Sequence, residues 1–304
     1  MTAGTTSDLE LSDAEFRMFA ELLRRSCGLH FGPESRFVLE KRLLRRVREL
    51  GLSSFAAYHY LLRSQGSDDE LGHLIDEVTT NETYFFRERR QLDALLSEIL
   101  PEAMLGRRAR GGGPVTIWSA GCSSGEEPYS VAMLALEAGL LPGADFRLYA
   151  SDISRRMLRK AREGIYREAS FRETEPHLRD RYFQEKDGRY LLSEPVKRLV
   201  DFIHLNLVDR AKMVLLGGMD VILCRNVIIY FDTETKQQVI ETFHEKLRPG
   251  GHLLLGHAES LINLSTAFDL RSLRADLVYQ RPLPGRSRPD PWQTARSGAR
   301  REAP

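Results

Sequence analysis

VTIWSAGCSSGEEPYS, residues 115–130, is the stretch from which the fold is read. An apolar run that suits a buried strand gives way at Gly121 and Gly125 to a tight turn, and Pro128 suits the first position of a following helix. Glu126 and Glu127 fall at the positive end of that helix. The spacing is not the GxGxxG of a dinucleotide site, and a pyrophosphate facing two carboxylates would be repelled. A cationic ligand suits the loop better, and a sulfonium carries positive charge with no phosphate. The plain alternative is a strand-to-helix turn whose glutamates only cap the helix.

Working outward, strand and helix alternate. A helix YSVAMLALEAG is closed by Gly139, and the strand FRLYASD and helix RRMLRKAREG follow; VDFIHLNL, MDVILC and HLLLGHAE read as further strands, with the helix TKQQVIETFHEKLRPGG before the last. Alternation of this kind predicts an α/β fold, a parallel sheet covered by helices. FDLRSL and DLVYQRP are expected to form a terminal hairpin, bringing the count to about seven strands. Between Ile165 and Arg198 the pattern breaks, and RYFQEKDGRYLLSEPV reads as an antiparallel excursion turning at Asp187 and Gly188. Towards the N-terminus, Phe16, Phe19, Leu22 and Leu23, then Leu39, Leu43, Val47 and Leu50, recur at helical spacing, with Ser12 and Glu15 as a capping box. The expected organisation is a small all-α domain over 1–80, a linker and helix over 81–114 ending in the flexible connector RRARGGGP, the α/β domain over 115–282 with its insertion at about 165–200, and a disordered tail over 283–304.

Ligands of open α/β sheets lie outside the carboxyl ends of the strands. Asp152 ends the second strand, where an acid accepts hydrogen bonds from ribose hydroxyls; its alternative role is an N-cap for the helix near Ser154. Asn206-Leu207 and Cys224-Arg225-Asn226-Val227 end the next two, and an asparagine can read an adenine edge or a carboxylate through paired donor and acceptor. Each asparagine alone is more often a satisfied turn residue.

Composition narrows the partners. The chain has 304 residues, 42% hydrophobic, with a formal charge of +1. No run of eighteen apolar residues and no secretory leader is evident, so membrane insertion is not expected and the cytoplasm is the default. Cys27, Cys122 and Cys224 are odd in number and far apart and read as free thiols, and the histidines form no metal-ligand spacing, so no metal is expected. His257 at a strand end could face a ligand or be structural. Arg17 to Arg48 carries nine basic and three acidic residues. In LEKRLLRRVREL a helical wheel sets Leu39, Leu43, Val47 and Leu50 against Lys41, Arg42, Arg45 and Arg48, with Arg46 at the boundary. The balanced net charge gives nucleic acid little support as a partner.

TTNETYFFRE (79–88), SAGCSSGEEPYS (119–130), ASDIS (150–154), HLNL (204–207) and CRNVIIYFD (224–232), in that order, resemble the chemotaxis receptor glutamate methyltransferases, the CheR family, from about Leu11 to Arg281. The resemblance implies a Rossmann-like class I methyltransferase domain with an inserted antiparallel β-subdomain, preceded by an all-α domain. It implies S-adenosyl-L-methionine as methyl donor and S-adenosyl-L-homocysteine as product. It places Asn81, Thr83, Arg87, Glu127, Asp152, Asn206, Leu207, Arg225 and Asn226 on the cofactor. Arg87 suits that role chemically, because a guanidinium can fork onto a carboxylate. A glutamate acceptor is already ionised near neutral pH, so no general base is needed; Arg225 or Tyr230 is expected to orient it. By the same resemblance Arg42, Arg45, Arg46 and Arg48 would meet the acidic cytoplasmic coiled coil of a chemoreceptor. The QEKDG turn is shorter than the loop some members use to grip a receptor's C-terminal peptide, so no such tether is expected. Other readings are a methyltransferase of the same fold for a small molecule or RNA, and a non-catalytic cofactor-binding scaffold.

Overall fold

The computed structural model describes residues 9–285 apart from 65, 67 and 275. Its N-terminal part is four helices, α1 (Asp13–Cys27), α2 (Arg36–Glu49), α3 (Phe55–Arg63) and α4 (Asp68–Val78). The capping box forms as the sequence suggests: Glu15 N donates to Ser12 Oγ at 3.3 Å, and Ser12 N donates to Glu15 Oε2 at 3.0 Å. The apolar stripes of the four helices close on one core of Phe19, Leu23, Leu39, Leu43, Val47, Tyr58 and Leu74.

A non-helical stretch over 79–88 leads to α5 (Arg89–Ala94), which runs through a π-turn at Leu95–Ile99 into α6 (Leu100–Ala109). The connector RRARGGGP is anchored more firmly than its composition suggests. Arg107 lies inside α6, and Arg107 and Arg110 sit 3.6 and 3.7 Å from the buried carboxylate of Asp220.

The remainder is β1 (Val115–Ala120), α7 (Glu126–Glu137), β2 (Phe146–Asp152), α8 (Arg155–Glu163), β3 (Ile165–Tyr166), α9 (Pro176–Tyr182), β4 (Phe183–Lys186), β5 (Arg189–Leu192), α10 (Glu194–Lys197), β6 (Val200–His204), β7 (Met219–Cys224), α11 (Thr233–Lys246), β8 (Leu247–Leu255), β9 (Asp269–Ser272) and β10 (Leu277–Gln280). Seven strands form one sheet in the order β6-β2-β1-β7-β8-β10-β9. The first five are parallel, and β10 runs antiparallel to both β8 and β9, so the expected hairpin closes the edge. Alternate residues feed two cores: Ile117, Val221 and Leu223 pack with α7 on one face, whereas Trp118, Ile222 and Cys224 pack with α11 on the other. The architecture is thus α/β and Rossmann-like. The chain runs β1, β2, β6 to one edge and returns to β7 beside β1, which puts the topological switch, and the crevice it opens, between the tips of β1 and β7.

Strands β3, β5 and β4 form the separate antiparallel sheet. Its turn holds Asp187 (φ 52) and Gly188 (φ 69) between the paired Lys186 and Arg189, the two left-handed positions of a type I′ hairpin. Phe85, from the stretch before α5, enters this sheet's core, with ring centroids 4.7 Å from Tyr166, 5.2 Å from Phe171 and 5.0 Å from Phe183. Of the tail expected to be disordered, residues 286–304 lie outside the described residues. Among the described residues no helix is long and apolar enough to cross a membrane.

Candidate functional site

The turn after β1 is built by backbone that only small residues allow. Gly121 (φ 78) lies so close to the β7 tip that a Cβ there would come within 2.5 Å of a Val227 methyl. Gly125 (φ 93) caps α7, which begins at Glu126; Pro128 is therefore its third residue, not its first as the sequence suggested, and still needs no N–H partner. The adjacent glutamates part company here. Glu126 is buried towards the inserted sheet, accepting from Ser124 Oγ at 2.7 Å and Ser170 Oγ at 3.2 Å. Glu127 faces the crevice, accepting from Ser119 Oγ at 2.6 Å and Arg225 Nη1 at 3.1 Å.

At the tip of β2, Asp152 accepts the N–H groups of Ser123 and Ser154, both at 2.8 Å. Burial pushes its carboxyl up to about 6, against the pull of those two amides. The cap of α8 is Ser154, whose Oγ accepts from Met157 N at 3.1 Å, so the N-cap alternative for Asp152 falls away. Ser154 Oγ in turn donates to Asp76 of α4 at 2.6 Å, tying the helical domain to this strand tip. Beyond β6, Asn206 Nδ2 donates to the Ser26 carbonyl at 2.7 Å, and its Oδ1 accepts from Val208 N at 3.2 Å. Asn206 is thus both a satisfied turn residue and an interdomain tie.

Beyond β7, the Arg225 side chain is only 2% exposed and its guanidinium lies 3.1 Å from Glu127 and 3.0 Å from Glu88. Burial pulls the Glu88 carboxyl up, but Arg225 more than offsets this and holds it below the usual range. Asn226 takes the left-handed conformation (φ 60). The turn Ile228–Tyr230 then brings the chain against the helical domain, where His30 N donates to the Tyr230 carbonyl at 2.9 Å and Leu29 bridges Phe231.

These tips surround one cavity. Asn81, Thr83, Arg87, Glu127, Asp152, Asn206, Leu207, Arg225, Asn226 and Tyr230 all line it, together with Cys27, Leu29, Thr79 and Thr80 from the helical side. Arg87 donates to the Glu82 carbonyl at 3.1 Å. Its neighbours Phe86 and Glu88 have φ of 59° and 53°, costly for such side chains, and the Phe86 N–H is pinned by Ser130 Oγ at 2.9 Å. The sequence reading gave no part to Glu88, to Asp76 or to the Cys27–Leu29 wall; their signal was only proximity to a motif or none. His257 is exposed and does not line the cavity, its ring 3.4 Å from Asp276.

The basic residues of α2 stand apart from the cavity lining. Arg46 lies at the boundary, where the wheel set it, and is largely enclosed, 2.6 Å from Glu70 and 2.7 Å from Glu49, because α4 supplies an acid opposite it. Arg42 is half-buried, donating to the Val78 carbonyl and to Thr80 Oγ1, within electrostatic reach of Tyr230. Arg45 is exposed but lies near Glu49 and Glu77 at 3.1 and 3.2 Å, and Arg48 is exposed.

Comparison with known proteins now adds to the geometry. The description "CheR methyltransferase, SAM binding domain" matches residues 81–276, and "CheR methyltransferase, all-alpha domain" matches residues 14–79. Chemotaxis protein methyltransferase 2 of Vibrio cholerae is 38% identical over 283 residues, covering 92% of this chain and 97% of its own. The chemotaxis protein methyltransferase of Vibrio parahaemolyticus is 38% identical over 282 residues, 90% of this chain and 98% of its own. That of Escherichia coli is 38% identical over 271 residues, 88% of this chain and 91% of its own.

Proposed function

The chain belongs to the CheR methyltransferase family, and from that premise we propose that it esterifies glutamate side chains on the cytoplasmic coiled coil of a methyl-accepting chemoreceptor. The observation that carries this reading is the convergence of Glu127, Asp152, Asn206 and Asn226 on one cavity at the tips of neighbouring parallel strands. The donor set fits S-adenosylmethionine. Carboxylates and amide oxygens suit a cationic sulfonium, an ammonium and ribose hydroxyls, and the glycine turn leaves room for close backbone approach.

In this reading Asp152 accepts from the ribose hydroxyls and Glu127 faces the positive end of the ligand. Asn81, Thr83, Asn206, Leu207 and Asn226 wall the adenosine and methionine parts, and Arg87 meets the methionine carboxylate. Arg225 acts through Glu127: enclosed between Glu127 and Glu88, it fixes the direction of that carboxylate. Tyr230 is left as the side chain to orient the incoming glutamate. S-adenosylmethionine, when bound, would supply a sulfonium methyl to the acceptor oxygen, with the electron pair of the C–S bond left on sulfur. No proton moves, so the protein's share is positioning and exclusion of water.

The exposed cations of α2, Lys41, Arg45 and Arg48, with Arg42 between them and Tyr230, suit an acidic helical partner on the cytoplasmic side of a membrane. The short two-residue turn at Asp187 and Gly188 supports reading this chain as independent of a receptor C-terminal peptide tether. The test is incubation with methyl-labelled S-adenosylmethionine and receptor cytoplasmic fragments, followed by alkali. Volatile labelled methanol is expected; label stable to base would point to a nitrogen acceptor and sink the ester assignment.

A further inference from the structure

Glu259, in the segment LLGHAES after β8, makes bonds that no motif signals. Its side chain is buried, with 9% of the residue exposed, and it accepts four backbone N–H groups. Oε2 takes Asn226 N at 2.7 Å and Gly256 N at 2.8 Å; Oε1 takes Val227 N at 2.9 Å and Ile229 N at 3.3 Å. Three of those amides belong to the loop at the β7 tip, whose Asn226, Val227, Ile229 and Tyr230 line the cavity.

That loop has little regular structure of its own, only the short turn Ile228–Tyr230. Without an outside acceptor its inward amides would be orphaned, at about 1–3 kcal/mol for each buried donor. A carboxylate is the one side chain that accepts from four donors and offers none. Close approach from both sides completes the clamp. A Cβ on Gly256 would lie 2.7 Å from Asn226 Nδ2 and 2.9 Å from Asn226 N, while one on Gly121 would strike Val227. The Asn226–Val227 peptide is thus fixed between the first glycine turn and the Gly256–Glu259 turn, with Asn226 held at its left-handed φ.

We infer that Glu259 is a positioning residue for methyl transfer, a buried carboxylate that holds the Asn226–Tyr230 wall of the cavity in its ligand-binding shape. The inference rests on the reading of that wall as part of the cofactor site. It is independent of which group is methylated.

Glu259→Gln keeps the shape but turns an NH2 towards one pair of N–H donors. With S-adenosylhomocysteine as the calorimetric probe, this variant should fold cooperatively and bind at least ten-fold more weakly. The KM for S-adenosylmethionine should rise while that for the protein substrate stays within two-fold; a merely destabilised protein would lose apparent kcat in proportion to its folded fraction and leave both KM values unchanged. In amide spectra the resonances of Asn226, Val227, Ile229 and Gly256 should move, with those of α11 unchanged. Gly256→Ala presses on Asn226 without removing the carboxylate and should weaken the same probe; it carries the test should Glu259→Gln not fold. Wild-type affinity in a folded Glu259→Gln protein, or in Gly256→Ala, overturns the inference. Asn226→Ala separates the two ideas: if it weakens the probe while Glu259→Gln does not, only the positioning role falls, and if it binds normally, the reading of the wall falls and takes the inference with it.

Discussion

The carboxylates at the β1 and β2 tips, Glu126, Glu127 and Asp152, show how environment sorts acidic residues. Asp152, held near 6 by burial, is half protonated in mildly acidic solution. A raised folded-state value favours the empty fold at low pH, an advantage lost as pH rises through about 6. On the proposed reading the charged form is the one that accepts the ribose hydroxyls. Affinity for S-adenosylhomocysteine should therefore increase from pH 5 to pH 7 with its inflection near 6, falling by up to about ten-fold per unit below it. Calorimetry across that range checks this, and Asp152→Asn should flatten the profile. Legibility at this scale was uneven. Strand-end residues were readable because an open sheet offers its ligand few other places. Glu126 and Glu127 were barely separable, since neighbours on a helix point about 100° apart and only the position of Arg225 shows which faces the crevice. Glu259 was invisible because three of its four partners lie 30 to 33 residues away and all four are backbone amides, which leave no trace in side-chain spacing.

Among the elements, α2 departs most from its wheel. Periodicity places the buried stripe Leu39, Leu43 and Val47 correctly, yet it cannot say which acids the next helix will set opposite the basic side. Glu70 of α4 meets Arg46 and the Tyr58 hydroxyl, at 2.6 and 2.8 Å, and neither partner is well solvated. Arg46→Ala should therefore lower stability by about 2–3 kcal/mol, read from the urea midpoint at unchanged m-value, because it strands Glu70. The exposed Lys41, Arg45 and Arg48 should behave otherwise. Reversing all three to Glu should raise the KM for receptor protein several-fold, more so at low salt, with S-adenosylhomocysteine binding unchanged. Equal loss of both activities would mean that α2 had been disrupted. The π-turn between α5 and α6 likewise escaped the sequence, which shows one apolar periodicity running through it.

For the molecule as a whole, strand alternation and the change of grammar near 115 made the α/β layer and its helical neighbour legible. How the parts lock together was not, because the contacts join residues remote in sequence. Phe85 is the clearest case: read as part of a linker, it is fully buried in the inserted sheet's aromatic core two residues before Arg87. Phe85→Ala should cost about 3–5 kcal/mol by denaturant titration and weaken cofactor binding as well, since the same short stretch carries Arg87, which lines the cavity. The wall formed by Cys27, Leu29, Thr79 and Thr80 has a wider consequence. A ligand in a chamber whose sides come from two folding units acts as a rivet between them, adding RT ln(1 + [L]/Kd) to their joint stability, about 2.7 kcal/mol at a hundred-fold excess over Kd. On the proposed reading the helical unit therefore helps to grip the ligand, besides offering a basic face to the protein substrate.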